Sequence, residues 1–243
     1  MVKPIYQPTG AAKEYGEYAL NIYQGCNHLC SYCYARKMFE RYHPGEDFSN
    51  VTVRPGIIEA VKKQLSTGKF KDKTIHLCFM CDPYPARIDT IPTREIIKLI
   101  KGAGAHVQIL TKGGDRARRD FDLLDCWDSF GITLSCLPPD VNEVEPNAAV
   151  PFERICALVD VAKRGVNTWV SFEPVVNPST VIELIHVMPQ IVSKSIMLKI
   201  GKLNHVKNDT DWKSFGLEAE RICKENGCNY YIKEDLRKEM EGK

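Results

Sequence analysis

The sequence has no run of about 18 apolar residues, which excludes a continuous apolar membrane span. Its opening, "MVKPIYQPTGAAKEYG", lacks the apolar stretch of a secretory signal. No low-complexity tract and no Ser/Gly linker interrupts it. Neither sign of charge is in excess, and a net charge of +2 argues neither for nor against a nucleic-acid partner. Without an export signal, the ten cysteines are expected to stay reduced rather than to build a disulfide framework. These absences place the chain in the cytoplasm, with no membrane partner. One core domain is the simplest reading of 243 residues, with an N-terminal extension (1–17) and a C-terminal helical segment and tail (206–243).

What recurs is a short apolar run followed by a longer amphipathic segment. The runs are 18–25, 74–80, 106–112, 130–136, 167–174 and 195–203, rich in Ile, Leu, Val and Thr, and they read as buried strands. Helical patterns fall between them. "RPGIIEAVKKQLSTG" carries Ile57, Ile58, Val61 and Leu65 on one face, with Gly68 as a stop. "TREIIKLIKGAG" opens on Thr93 as an N-cap, and "DWKSFGLEAERICKENG" opens on an Asp and stops at Gly227. The end, "KEDLRKEMEGK", reads as a fraying helix of mixed charge. Six strands alternating with helices predict an α/β fold of parallel strands with outer helices. A partial (β/α)6 barrel fits the length, and a doubly wound open sheet is the alternative. In both, the working site lies at the C-terminal ends of the strands.

The reactive residues collect at those ends. The loop after the first run, "YQGCNHLCSYCYARK", holds Cys26, Cys30 and Cys33 in C-x3-C-x2-C spacing, ahead of a helical segment starting near Ala35. "CDPYP" (81–85), "TKGG" (111–114), "SCLPP" (135–139), "SFEP" (171–174) and "GKLNH" (201–205) follow the other runs. Three thiolates suit zinc, copper(I) or an iron–sulfur cluster. Structural zinc needs a fourth protein ligand, for which His28, Cys78 or Cys81 are candidates. Such a chain would be a non-catalytic metal-binding module interacting with nucleic acid. Zinc knuckles favour paired C-x2-C units, however, and no second pair lies nearby. A 4Fe–4S cluster held by three cysteines keeps one iron open, as catalytic metals do. Glu173 follows an apolar strand, where a carboxylate is costly unless paired. It either meets polar groups of a ligand or pairs with Lys199 or Lys202. Asn204 and His205 read as loop residues. The runs "KGGDRARRD" (112–120) and "ARKMFERYH" (35–43) read as solvated basic faces near the rim, where a nucleic acid could touch. Cys126, Cys136, Cys156, Cys223 and Cys228 show no compact spacing, so no second cluster is expected.

The three-cysteine loop, with Tyr32 just before its last cysteine, resembles the signature of the radical S-adenosylmethionine (SAM) enzymes. The resemblance implies that Cys26, Cys30 and Cys33 hold three irons of a 4Fe–4S cluster and that SAM binds the fourth. Reductive cleavage of SAM then gives methionine and a 5′-deoxyadenosyl radical that takes hydrogen from substrate. The order of "GCNHLCSYCYAR", "DPYP", "TREIIKLIKGAGAHVQILTK" and "RRDFDLLDCW" is similar to the spore photoproduct lyase-like branch. The likeness covers about 20–205 and is loose outside the cysteine loop. By that likeness Asp82 meets the SAM amino group, Lys112 its carboxylate and Ser135 the ribose region, while Tyr32 packs by the adenine. Glu173 joins this cofactor-binding set. Cys78 or Cys81 would donate hydrogen to the product radical, with Tyr34 and Tyr32 beside the loop. The offset of these cysteines from Asp82 differs from the lyase pattern, and the lyase's N-terminal domain and basic hairpin are not evident. DNA dimer repair is therefore not the leading expectation. Nucleic-acid or nucleotide chemistry ranks first and a peptide substrate follows. The electron is expected from a reductant protein such as flavodoxin or ferredoxin.

Overall fold

The computed structural model describes residues 4–203 and 209–242. The chain opens with a 3-10 helix (Gly10–Glu14), then β1 (Tyr18–Leu20), β2 (Tyr23–Gln24), α1 (Tyr34–Tyr42), β3 (Thr52–Val53) and α2 (Ile57–Leu65). It continues through β4 (Thr74–Leu77), α3 (Ile91–Gly102), β5 (His106–Thr111), a second 3-10 helix (Gly114–Leu123) and β6 (Ser129–Thr133). The last part holds α4 (Asp140–Val144), α5 (Pro151–Ala162), β7 (Asn167–Phe172), α6 (Pro178–Ile191), β8 (Met197–Ile200), α7 (Trp212–Asn226), β9 (Asn229–Ile232) and α8 (Glu234–Glu241). Among the described residues no helix is long and apolar enough to cross a membrane.

Among the described residues seven strands form one sheet in the order β1-β4-β5-β6-β7-β8-β9, every neighbouring pair parallel. This is the α/β architecture expected, with one strand more than the six predicted. The extra strand, β9, lies inside the segment expected to be only helix and tail. The first run also divides. Tyr18–Leu20 joins the large sheet, while Tyr23–Gln24 pairs antiparallel with Thr52–Val53. Thr93 is not an N-cap: the helix starts at Ile91, and Thr93 is buried on its apolar stripe with Ile96, Ile97 and Ile100. Its hydroxyl donates to the Pro83 carbonyl at 2.7 Å and lies 2.8 Å from the Tyr23 hydroxyl. Asp211 does cap α7, its side chain accepting from the Ser214 N–H, and Gly227 ends that helix in the left-handed region. Asn204 and His205 lie outside the described residues.

Alternation along the strands assigns their two faces. Ile75, Leu77, Val107, Ile109, Phe130, Ile132, Val170, Phe172, Leu198 and Ile200 are fully buried, together with helix residues such as Ile96, Leu158, Val161, Ile185 and Ala219. The opposite face, followed through the register, carries His76, Gln108, Gly131, Thr133, Trp169, Ser171 and Lys199. A Cβ at Gly131 would stand 2.2 Å from the Trp169 ring, so glycine makes room for that indole.

The sheet is strongly curved around this polar face. In a flat sheet β4 and β9 would lie roughly 24 Å apart, five strand spacings. Yet the Tyr15 ring sits 5.7 Å from the His76 ring of β4 and 4.6 Å from Lys233 Nζ just past β9. The strands therefore form an open, partial barrel, with β1 and β9 as its edge strands among the described residues.

Candidate functional site

The loop that carries the three cysteines is pinned on several sides. Gly25 has φ +80°, and a Cβ there would meet the Phe48 carbonyl oxygen at 2.6 Å, so only glycine fits the turn. Cys26 N–H donates to the Phe48 carbonyl at 2.8 Å. The Asn27 side chain bridges to Ala86, donating to its carbonyl and accepting from its N–H at 2.9 Å. Ser31 N–H donates to the Val144 carbonyl at 2.9 Å. Below it, His28 is buried between Arg116, which donates to Nε2 at 2.8 Å, and Asp82, 3.5 Å from Nδ1. Burial, opposed by Asp82, holds the His28 pKa at about 4. With Arg116 donating to Nε2, the ring's own N–H is at Nδ1 and faces Asp82.

A cavity of about 420 Å³ opens beside this loop, at the C-terminal ends of the strands. Cys26, Cys30 and Cys33 border it on one side, and Tyr32 and Tyr34 lie with them. Cys78, Cys81 and Asp82 border it after β4, Lys112 after β5, and Glu173 after β7. Ser135 stands apart from it. It is fully buried and donates to Glu145 Oε1 at 2.6 Å.

Several of these groups have partners that the sequence did not announce. Asp82 accepts from Tyr84 N–H (2.8 Å), the Thr111 hydroxyl (2.6 Å) and Lys112 N–H (2.8 Å). His28 Nδ1 stands 3.5 Å from Oδ2 beside these three donors. Burial would raise the Asp82 pKa, and His28 with these donors brings it below the usual range. Asp82 thus ties the turn after β4 to the end of β5. Tyr32 and Ser135 both bond Glu145, which forms a fully buried ion pair with Arg154. Arg154 also donates to the Ala149 and Thr133 carbonyls at 2.7 and 2.9 Å. Burial would raise the Glu145 pKa, but Arg154 and then Lys112 hold it below the usual range. Lys112 Nζ lies 5.7 Å from the centre of the Tyr32 ring. Tyr34 donates to the Phe79 carbonyl at 2.6 Å.

Glu173 is paired with neither Lys199 nor Lys202. It accepts from Lys233 Nζ and the Tyr15 hydroxyl, each at 2.5 Å. Lys202 pairs with Glu239, and Lys199 lies 4.8 Å from both the Tyr15 and Trp169 rings. Burial and the nearby Lys233 lower the Lys199 pKa to about 8. The basic run at 112–120 is largely neutralised: Arg116 turns inward to His28 and the Tyr84 carbonyl, and Arg118 pairs with Asp115 and Asp160.

His76 is 1% exposed and its pKa is lowered to about 4, first by burial, with the Gln108 bond opposing and Lys199 adding a little. A depressed folded-state value means that the unfolded chain binds the proton first as pH falls below about 6.5. The stability tied to neutral His76 is present above that pH and is lost toward 4. Relative to His76→Gln, the wild type should lose about 2 kcal/mol of stability between pH 7.5 and 5. Urea unfolding at both pH values checks this.

The donor set bears directly on a cofactor. All ten cysteines are free thiols, and the three of the loop share one cavity wall. Burial raises the Cys26 and Cys30 pKa values, to about 11 for Cys30, so metal loading must release protons. Among the described residues, no three His, Cys, Asp or Glu side chains are grouped so as to hold a metal ion. Three thiolates are soft donors of the kind an iron–sulfur cluster would take.

The family described as "Protein of unknown function (DUF5131)" matches residues 11–233. The chain belongs to this family. Uncharacterized protein MJ0683 of Methanocaldococcus jannaschii is 31% identical over 164 residues, 66% of this chain and 61% of that protein. Uncharacterized protein Rv2578c of Mycobacterium tuberculosis is 29% identical over 180 residues, 69% of this chain and 52% of that one. This DUF5131 member therefore spans between half and two thirds of the length of those relatives. Among solved structures, spore photoproduct lyase complexed with dinucleoside spore photoproduct superposes with a TM-score of 0.71 at 13% identity, covering 93% of this chain and 78% of that one. Streptococcus suis SuiB bound to S-adenosylmethionine superposes with a TM-score of 0.64 at 9% identity, covering 88% and 49%. At these identities the likeness is one of fold: the curved parallel sheet with outer helices is shared with these two proteins.

Proposed function

We propose that the chain is a radical SAM enzyme, with a 4Fe–4S cluster on Cys26, Cys30 and Cys33 and SAM at the open iron. One observation carries this reading: three free thiols of one pinned loop border the cavity at the C-terminal ends of a curved parallel sheet. When bound, the cluster and SAM together supply reductive cleavage to a 5′-deoxyadenosyl radical that abstracts hydrogen. The chain's own residues position and shield. Lys112, on the cavity wall, offers a cation to the SAM carboxylate. Asp82, held in place by Tyr84 N–H, the Thr111 hydroxyl and Lys112 N–H, borders the cavity as the acceptor for the SAM ammonium. Tyr32 presents its ring while Glu145 anchors its hydroxyl, and Ser135 supports that anchor from behind.

Cys78 and Cys81 border the cavity on the strand side, where a substrate would lie, and they are the hydrogen donors of this reading, with Tyr34 beside them. Nucleic-acid or nucleotide chemistry, as in the spore photoproduct lyase-like branch, is the leading substrate class. A reductant protein such as flavodoxin or ferredoxin would provide the electron. Anaerobic reconstitution with iron and sulfide, then SAM and dithionite, tests the reading by the yield of 5′-deoxyadenosine. Production above a no-protein control supports it. A preparation that makes none and binds one zinc ion tightly reduces the chain to a metal-binding module.

A further inference from the structure

Among the described residues the sheet is open, and no strand joins β1 to β9. The segment before β1 bridges that gap. Tyr6 pairs antiparallel with Ala19 on one edge. Glu14 lands on the other, its Oε2 accepting from the Tyr231 hydroxyl and the Glu234 N–H at 3.0 Å each. Its carbonyl accepts from Lys199 Nζ at 3.3 Å. Tyr15 then turns into the barrel, bonds Glu173, and packs against His76, Phe79 and Trp169 at ring distances of 5.7–5.9 Å.

Two features separate this segment from ordinary packing. The 3-10 helix Gly10–Glu14 buries none of its residues, so apart from Tyr15 the segment is held by polar contacts, and it starts on Gly10 (φ +60°) with Gly16 just after Tyr15. Segments with few buried apolar contacts open at lower free energy than core strands. The second feature lies beneath it. His76 Nε2 and Trp169 Nε1 are both buried and without a hydrogen-bond partner, and both rings pack on Tyr15. Buried polar atoms without partners are rare and call for an explanation. With His76 Nδ1–H donating to Gln108 Oε1 (3.0 Å apart), Nε2 is an acceptor, whereas Trp169 Nε1–H is a donor. Glu173 and Lys233, now held to Tyr15 and to each other, add a further acceptor and donor.

We propose that residues 10–16 are a gate, latched to β9 by Glu14 and plugged by Tyr15. Beneath it is a substrate subsite for a planar ring with both donors and acceptors on its edge, the chemistry of a nucleobase. When the gate lifts, the ring takes the place of Tyr15 and satisfies His76 and Trp169. The gate stands without the cofactor reading; naming the ring as the substrate's rests on it.

Hydrogen exchange followed by mass spectrometry on the full chain, without cofactors, tests this separately from SAM cleavage. Amides of 10–17 should exchange at least about tenfold faster than those of β4–β7, and Glu14→Gln with Tyr231→Phe should raise them about tenfold further while β4–β7 stay unchanged. 1-Methylthymine or 9-methyladenine should accelerate exchange of 10–17 by displacing Tyr15, and toluene should not. Exchange of 10–17 as slow as β4–β7 in both proteins overturns the gate. Acceleration by p-cresol but by neither base, equal acceleration by toluene, or no acceleration by any probe in the latch variant overturns the nucleobase subsite.

Discussion

Arg154→Met should destabilise the protein by about 3–5 kcal/mol, because it leaves the Glu145 carboxylate buried without its charge partner. For a chain of this size that corresponds to a fall in Tm of roughly 10 °C. The pair is 1% exposed on each side, so water cannot take over the role of Arg154. Adding Glu145→Gln should restore much of the loss, since the charge is then gone and the amide can still meet Ser135 and Tyr32. Thermal and urea unfolding of the single and double variants check both steps. A loss under about 1 kcal/mol for Arg154→Met would show that Glu145 takes up a proton or another partner with ease. The effect should reach the cysteine loop, because Glu145 receives the Tyr32 hydroxyl and Val144 accepts from Ser31 N–H.

The sequence showed the local parts of this arrangement and hid those made by distant residues. The cysteine loop is legible because its three thiols lie within eight residues at a fixed spacing. Lys112 and Glu173 are legible as strand-end residues because the apolar runs before them are long enough to read. β9 is not: "NYYI" is four residues between two helical patterns, too short for a period of two to declare itself. Lys233 and Tyr15 come from opposite ends of the chain, and only the curvature of the sheet brings them to Glu173. The role of Arg154 left a trace that could have been used. It lies on the apolar stripe of α5 with Ala157, Leu158 and Val161, and a charge on such a stripe needs a buried partner. Thr93 sits likewise on the apolar stripe of α3, a place inside the helix rather than at its cap.

The cysteines give the sharpest expected contrast, because ten free thiols serve in different surroundings. After anaerobic reconstitution the wild type should hold about four irons and four sulfides per chain. Changing Cys26, Cys30 and Cys33 together to Ala should reduce iron to less than about a tenth of that and abolish 5′-deoxyadenosine formation, since a cluster left without thiolates has no soft donor on that wall. Cys126→Ala should keep both, the residue being exposed. Cys223→Ala should also keep both: its carbonyl receives the Cys228 thiol, and neither residue borders the cavity. Cys78→Ala is the informative intermediate. Cys78 is buried and borders the cavity, yet it lies outside the loop. As a hydrogen donor it should leave iron content and SAM cleavage unchanged while altering the product formed from substrate. Loss of iron in Cys78→Ala would instead make it a cluster ligand, fill the position reserved for SAM, and turn the catalytic reading into that of a closed metal site.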